Sequence, residues 1–156
     1  RLAELIEGVP RAYSDLLLYQ LFTALGHHRG LIGTTGTALA RDRLPNAYTT
    51  PDAVELQRLL ASMVRAGCRY CFMEATSHAI DQRRIAGIDF AGGILTTLGC
   101  DHLDDHGTLD AYAAVRQRFL GELAPPAFAL TNADDPWGAF VVATTRASVA
   151  TSCSWR

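Results

Sequence analysis

Residues 50–73 read TPDAVELQRLLASMVRAGCRYCFM, and this stretch predicts a helix that leads into a buried strand. Thr50 is a candidate N-cap, Pro51 fits the first helical position, and Asp52 suits the positive end of the helix dipole. Apolar residues then recur at helical spacing until a glycine ends the helix. The apolar run at 69–73 is typical of a strand covered on both faces, so the stretch predicts part of a βαβ unit.

The same alternation continues on both sides of this stretch. Further strands are predicted at 30–33, 90–98 and 127–130, and further helices at 16–25 and 108–123. This order predicts an α/β fold, with a mostly parallel sheet and helices on both of its faces. We expect residues 1–143 to form one domain, whereas the Ser- and Thr-rich segment 144–156 has no predicted place in it.

The composition excludes several classes of protein. The 156 residues carry 14 basic and 16 acidic side chains, so no basic excess is present to neutralise the phosphates of a nucleic acid. The chain has no strongly apolar run of about 18 residues and no signal-peptide pattern, and we therefore expect a cytoplasmic protein without a membrane span. All 14 basic residues are arginine, so the chain offers no lysine amine.

Cys68 and Cys71 have the CxxC spacing of zinc sites and redox pairs. They belong to the apolar run that predicts a strand, where side chains three positions apart point to opposite faces of the sheet. We therefore interpret them as separate, buried core thiols.

Polar clusters follow three of the predicted strands, at residues 74–78, 101–106 and 132–135. The carboxyl ends of parallel strands meet at one edge of a sheet, where α/β proteins bind their ligands. Glu74 and His102 supply carboxylate and imidazole groups, which are ligands of divalent cations. The sequence therefore predicts a metal site at this edge, although the same clusters also suit polar turns that cap the following helices.

Four motifs resemble those of the Mur ligases in order and spacing. They are TTPD at 49–52, MEATSH at 73–78, DHLDDHGT at 101–108 and NADDP at 132–136. The similarity runs from about Ile6 to about Pro136 and corresponds to the family's central, P-loop-like ATP-binding domain, most closely of the MurE type. We find no counterpart of the family's N- and C-terminal domains, and we expect both to be absent.

The resemblance implies a ligase reaction of peptidoglycan biosynthesis. In this family, Mg²⁺ and ATP activate a carboxylate of the UDP-N-acetylmuramoyl dipeptide as an acyl phosphate, and an amine then attacks it to form an amide. Glu74 and His102 match the residues that bind Mg²⁺. The positions that match contacts to the dipeptide substrate are Thr49, Thr50, Thr76, Gln82 and Arg84. Asn132 and Asp135 match a motif on the nucleotide side.

The chain departs from the family where phosphate should bind. The family's glycine-rich loop should precede the helix at 16–25, and the degenerate counterpart here includes Gly8, Ala12, Tyr13 and Ser14. Ala12 stands in place of the phosphate-binding lysine, and Tyr13 in place of the hydroxyl residue that holds magnesium. Arg11 is one residue away from the lysine position, and Pro10 removes a backbone N–H from the loop.

Three more positions differ from the family. Arg116 stands where the family has a carbamylated lysine, and a guanidinium cannot be carbamylated and adds a positive charge beside the metal. Thr97 and Tyr48 each stand where an Asn is usual. Together with the altered loop, Arg116 predicts a chain that does not turn over.

Three alternatives to a disabled ligase domain stay open. The chain could be a noncatalytic binding or scaffold module of the same lineage. It could be an engineered, lysine-free sequence that keeps only the fold. An unrelated alternative is a metal-dependent hydrolase that uses His102 and His106, which share a face if their segment is helical.

Overall fold

The computed structural model describes residues 3–7, 14–39, 42–95, 108–135, 138 and 143–152. Within these ranges, the strands are β1 (Ala3–Glu7), β2 (Arg29–Gly33), β3 (Gly36–Leu39), β4 (Asp42–Leu44), β5 (Tyr70–Met73), β6 (Gly92–Leu95), β7 (Phe128–Asn132) and β8 (Ser148–Ser152). The helices with described bounds are α1 (Ser14–Ala24), α2 (Ala53–Arg65), α3 (Ser77–Asp81) and α4 (Leu109–Gly121). None of the helices in these ranges has the length and apolar character needed to cross a membrane.

The strands form one sheet in the order β4-β3-β2-β5-β1-β6-β7-β8. From β2 to β8 in this order, every neighbouring pair is parallel. β3 and β4 extend the sheet beyond β2 as an antiparallel hairpin. The predicted α/β fold with a mostly parallel sheet is therefore confirmed.

Helices cover both faces of the sheet, because alternate side chains of its central strands point in opposite directions. On one face, Leu31 of β2 and Phe72 of β5 pack with Tyr19 of α1. On the other face, Ile32 and Met73 join the larger hydrophobic core, which also includes side chains of α2, α3, α4 and β7. The core is thus divided into two layers by the sheet.

The α2–β5 unit forms as predicted, but α2 begins later than predicted. Asp52 is its N-cap, and the Asp52 carboxylate accepts hydrogen bonds from the backbone N–H groups of Val54 and Glu55 at 2.9 and 3.0 Å. The prediction of Thr50 as the N-cap was wrong, because Thr50 is buried and its hydroxyl bonds to the end of β5 instead. Pro51 consequently precedes the cap and does not occupy the first helical position.

The sequence patterns do not predict three parts of the sheet. β1 lies at the beginning of the chain, and the β3–β4 hairpin lies in a stretch with no clear apolar alternation, since all three residues of β4 are exposed. β8 lies within the segment 144–156, for which no place is predicted, and it pairs in parallel with β7 from Phe128 to Asn132. Part of that segment therefore belongs to the sheet.

Cys68 and Cys71 are both buried and both free thiols, which confirms the prediction of buried core thiols. The prediction that they point to opposite faces of a strand was wrong, because Cys68 precedes β5 and both side chains belong to the same hydrophobic core. Burial, with a smaller contribution from the neighbouring Cys68, raises the pKa of the Cys71 thiol to about 12. A thiol with so high a pKa is a poor nucleophile and a poor metal ligand near neutral pH.

Candidate functional site

The candidate site lies at the sheet edge where β2, β5 and β7 end, which we call the carboxyl edge. Thr34 directly follows β2, Glu74 directly follows β5, and Asn132 is the last residue of β7. Glu74 is buried, with 5% of its surface exposed. A buried carboxylate at a strand end is unusual enough to need partners, and these come from the neighbouring loops.

Thr34 holds the Glu74 carboxylate in place. Its backbone N–H and its hydroxyl both donate to Glu74 Oε2, at 3.1 and 2.7 Å. The hydroxyl of Thr34 also lies 3.2 Å from that of Thr49. Sequence reasoning does not identify Thr34, although its place directly after the first predicted strand is a signal that could have found it.

Thr50 ties the loop before α2 to the end of β5. Its buried hydroxyl donates to the carbonyl oxygen of Glu74 at 2.7 Å and accepts from the backbone N–H of Thr76 at 3.3 Å. The hydroxyl of Thr76 in turn caps α3, because it accepts from the backbone N–H of Ala79 at 3.2 Å. The capping role that the sequence left open for this cluster is therefore confirmed at Thr76, and its role in a ligand site stays a prediction.

Arg84 reaches back to the same loop. Its Nη1 donates to the carbonyl oxygen of Thr50 at 2.9 Å, and its Nε donates to Gln82 Oε1 at 2.8 Å. The guanidinium also lies over the ring of Tyr48, 5.6 Å from the ring centroid. Thr49, Thr50, Thr76, Gln82 and Arg84 thus join in one connected group beside Glu74, which we call the threonine–arginine cluster.

Arg116 lies behind the same strand end. It is buried, and it donates from Nη1 to the carbonyl oxygen of Ala75 at 3.1 Å and from Nη2 to the hydroxyl of Tyr112 at 2.8 Å. Burial lowers the pKa of Arg116 to about 9. The guanidinium is therefore hydrogen-bonded to Ala75, the residue that follows Glu74. Arg116 is also the residue that stands where the Mur ligases have a carbamylated lysine.

Asp15, near the start of α1, is a second buried carboxylate at this edge, and it is absent from the sequence-based candidates. It is fully buried, and Oδ1 accepts from the backbone N–H of Leu16 at 2.8 Å, whereas Oδ2 has no hydrogen-bond donor among the described residues. Burial raises its pKa to about 6, and the charge of Glu74 contributes to the rise. No local pattern signals this residue, because its burial depends on the packing of α1 against β2.

The nucleotide-side candidates lie further along the carboxyl edge. Asn132 Oδ1 accepts from the backbone N–H of Asp134 at 3.0 Å, and the N–H of Asp135 donates to the carbonyl oxygen of Asn132 at 3.3 Å. These contacts form a tight turn after β7. Because β1 and β6 separate β7 from β5, the turn is about 14 Å from the end of β5.

Several candidates fall outside the described residues. These are Gly8, Ala12 and Tyr13 of the loop after β1, and His102 and His106 of the segment after β6. Ser14 is described as the first residue of α1. Within the described ranges, no group of three or more His, Cys, Asp or Glu side chains comes together as a metal site.

Two cavities are bordered by different sets of the described residues. One of about 330 Å³ adjoins the threonine–arginine cluster and is lined in part by Tyr48, Pro51 and Asp52. The other, of about 790 Å³, lies near the amino ends of β6 and β7 and is lined in part by Phe90 and Phe128. Of these two, the smaller cavity is lined by Tyr48, the residue directly before the candidates Thr49 and Thr50.

Comparison with known proteins agrees with this geometry. Residues 15–154 match the family model described as the Mur ligase middle domain. The chain is similar to the UDP-N-acetylmuramoyl-L-alanyl-D-glutamate--2,6-diaminopimelate ligase of Parabacteroides distasonis, with 47% identity over 84% of this chain and 27% of that protein. It is also similar to the ligase of the same name from Cytophaga hutchinsonii, with 46% identity over 86% of this chain and 28% of that protein.

A solved structure of a ligase of the same name resembles the whole chain. The two superpose with a TM-score of 0.86 and 26% identity, over 100% of this chain and 32% of that one. The chain therefore spans about a quarter of the length of the curated relatives it matches. On the family match and on this level of identity, the chain belongs to the Mur ligase family, within which it corresponds to the middle domain of the MurE-type ligases.

Proposed function

We propose that this chain is the part of a UDP-N-acetylmuramoyl-tripeptide synthetase that holds the UDP-N-acetylmuramoyl dipeptide (the muropeptide) and a divalent cation. The observation that carries the proposal is the threonine–arginine cluster, in which residues of three separate loops converge beside Glu74. The complete reaction would be the ATP-dependent joining of the muropeptide carboxylate to an amino acid in peptidoglycan biosynthesis. We propose that it takes place in the cytoplasm, where ATP is present.

Arg84 is the residue in this cluster best suited to an anionic ligand. Two of its nitrogens already donate to Thr50 and Gln82, and these bonds hold the guanidinium in a fixed orientation. Its Nη2 donates to no described residue, so the N–H groups of that nitrogen are left for a ligand. A guanidinium fixed in this way recognises a carboxylate or a phosphate, and the muropeptide carries both groups.

Glu74 is the residue best suited to the cation. Mg²⁺ prefers oxygen ligands and is commonly held by one or two carboxylates together with water and substrate phosphates. When bound, the cation would neutralise charge on the transferring phosphate. Thr34 fixes one carboxylate oxygen of Glu74, and the other oxygen accepts no hydrogen bond from the described residues.

We further propose that the chain does not complete the reaction. Ala12 lacks the amine that would hold ATP phosphates, Tyr13 carries a phenol on a bulky ring in place of the short hydroxyl side chain that would hold magnesium, and Arg116 cannot carry a carbamate. The guanidinium of Arg116 donates to the carbonyl oxygen of Ala75, the residue after Glu74. Its positive charge therefore opposes the binding of a second cation near Glu74. The proposed remaining function is therefore binding of the muropeptide, with ATP bound weakly or not at all.

Calorimetric titration of the muropeptide into the chain tests this function, with Arg84→Ala and Arg83→Ala as matched variants. Arg83 is the adjacent arginine, is exposed, and takes no part in the side-chain hydrogen bonds described for the cluster. We expect binding by the unmodified chain and by Arg83→Ala, and a loss of about tenfold or more in Arg84→Ala. No binding by the unmodified chain, or equal binding by all three proteins, would overturn the proposal.

A titration of Mg-ATP tests the proposed loss of catalysis. We expect no binding by the unmodified chain, and binding by the double variant Ala12→Lys, Tyr13→Thr if the rest of the phosphate site is intact. Binding of Mg-ATP by the unmodified chain in the low micromolar range would refute the proposal that Ala12 and Tyr13 prevent ATP from binding.

A further inference from the structure

Two buried acidic residues lie beside Gly33. A Cβ atom placed on Gly33 would overlap Asp15 Oδ2 and would lie 3.6 Å from Glu74 Cβ. Asp15 comes from the first turn of α1 and Glu74 directly follows β5, so two separate elements place an acidic residue next to the same glycine. The carboxylate of Glu74 lies on the neighbouring residue, Thr34. Both side chains are at least nine-tenths buried.

Each carboxylate also keeps one oxygen without a hydrogen-bond donor among the described residues. For Asp15 this oxygen is Oδ2, since Oδ1 accepts from Leu16. For Glu74 it is Oε1, since both donors from Thr34 bond to Oε2. Asp15 Oδ2 is itself buried, and a buried carboxylate oxygen without a donor is costly, because it has lost its hydration and gained no replacement.

A cation between the two groups would remove this cost. Mg²⁺ and Mn²⁺ take oxygen ligands, and Mg²⁺ is often bound by only one or two carboxylates, with water in the remaining positions. A second carboxylate adds a full negative charge to the site that Glu74 provides alone. The chain thereby has a means of attracting a cation that does not depend on ATP phosphates.

We infer that Asp15 and Glu74 together bind one divalent cation, Mg²⁺ or Mn²⁺, in the absence of nucleotide. The inference rests on the proposed function for the role of Glu74, and it adds Asp15 as a second ligand. Gly33 belongs to the same proposed cation site, because a larger residue at this position would displace the Asp15 carboxylate.

The test is a titration of MnCl₂ into the nucleotide-free chain, followed by electron paramagnetic resonance of the free Mn²⁺. The variants are Asp15→Asn, Glu74→Gln and the control Asp89→Asn, which removes an exposed carboxylate far from the pair. We expect one bound Mn²⁺ per chain, affinity weakened about tenfold or more in each of the first two variants, and no change in the control. Asn and Gln keep the size of the side chains, so a weakened affinity reports the lost charge.

A second readout is thermal unfolding with and without MgCl₂. A cation that binds only the folded chain raises its unfolding temperature, and we expect this rise in the unmodified chain and in Asp89→Asn but not in Asp15→Asn. Absence of Mn²⁺ binding, or unchanged affinity in Asp15→Asn, would overturn the inference. If the cation does not bind but muropeptide binding still depends on Arg84, the proposed function stands and the inference fails. If the cation binds as expected but the muropeptide does not, the cation site stands and the proposed function fails.

Discussion

The carboxylate of Asp15 occupies the space that a side chain at residue 33 would fill. A Cβ on Gly33 would meet Asp15 Oδ2 well inside contact distance, so the two residues are sterically complementary. Gly33 ends β2 and Asp15 lies in the first turn of α1, and the pair therefore sets how closely this helix approaches the sheet.

Gly33→Ala should destabilise the fold by about 1–3 kcal/mol, because the added methyl group overpacks the contact with Asp15. The same substitution in an Asp15→Ala background should cost much less, since the obstructing carboxylate is gone. Urea unfolding of the two single variants and the double variant measures the difference as a coupling energy. Additive costs would show that the two side chains do not compete for this space.

Asp15→Asn should stabilise the metal-free chain at neutral pH. The pKa of Asp15 rises from 3.8 to about 6 on folding, so the folded state holds this proton more tightly than the unfolded state. The contribution of Asp15 to the free energy of unfolding therefore decreases as the pH rises from about 4 to about 6. Above that range the decrease is complete, and it amounts to about 3 kcal/mol at most. The amide in the variant carries no charge and avoids this cost.

The measurement is urea unfolding of both proteins in EDTA across that pH range. The gain should be present at pH 7 and should disappear below about pH 4, where Asp15 is protonated in both states. Asp89→Asn serves as the exposed control. A gain that is the same at every pH would mean that ionisation of Asp15 is not its cause.

Tyr112→Phe should destabilise the chain by about 1.5–3 kcal/mol, because it removes the hydroxyl that accepts the hydrogen bond from buried Arg116. Tyr70→Phe is the matched control, since the Tyr70 ring packs against Phe22 and no hydrogen bond of its hydroxyl is described. Guanidinium chloride unfolding of the three proteins checks the expectation. Equal stabilities would imply that water replaces the Tyr112 hydroxyl.

Thr50→Val should weaken both folding and muropeptide binding. Valine keeps the shape of threonine but leaves the Glu74 carbonyl and the Thr76 N–H without their partner, at a cost of about 1–3 kcal/mol. Thr50→Ser retains the hydroxyl and should restore most of both properties. Urea unfolding measures the stability of each variant, and calorimetry measures its affinity for the muropeptide. If Thr50→Ser is as impaired as Thr50→Val, the packing of the methyl group and not the hydroxyl is what matters at residue 50.

The elements that could be predicted from the sequence are those with strong local signals. The apolar periodicity of α2 and the apolar run of β5 identify both elements, and the strand ends then place Glu74 correctly. The cap of α2 was assigned to Thr50 instead of Asp52, because both residue types cap helices and only tertiary contacts decide between them.

The remaining parts depend on contacts between distant residues. β4 is exposed along its length, so it carries no apolar pattern to detect. Asp15 lies in a first turn, where acidic residues are common at the surface, and its burial follows from the packing of α1 against the sheet, where Gly33 leaves room for the carboxylate. Thr34 joins Glu74 across 40 positions of the chain, a separation at which local patterns carry no information.

The hydroxyl of Thr50 joins the carbonyl oxygen of Glu74, directly after β5, to the backbone N–H of Thr76, directly before α3, so one side-chain atom holds the backbone between these two elements. Any ligand that packs against Thr50 will also restrain this junction. Hydrogen–deuterium exchange at the Thr76 amide should slow when the muropeptide is bound, because the amide must open from Thr50 before it can exchange. Exchange at the Thr76 amide would thus report occupancy of the substrate site through the backbone between β5 and α3.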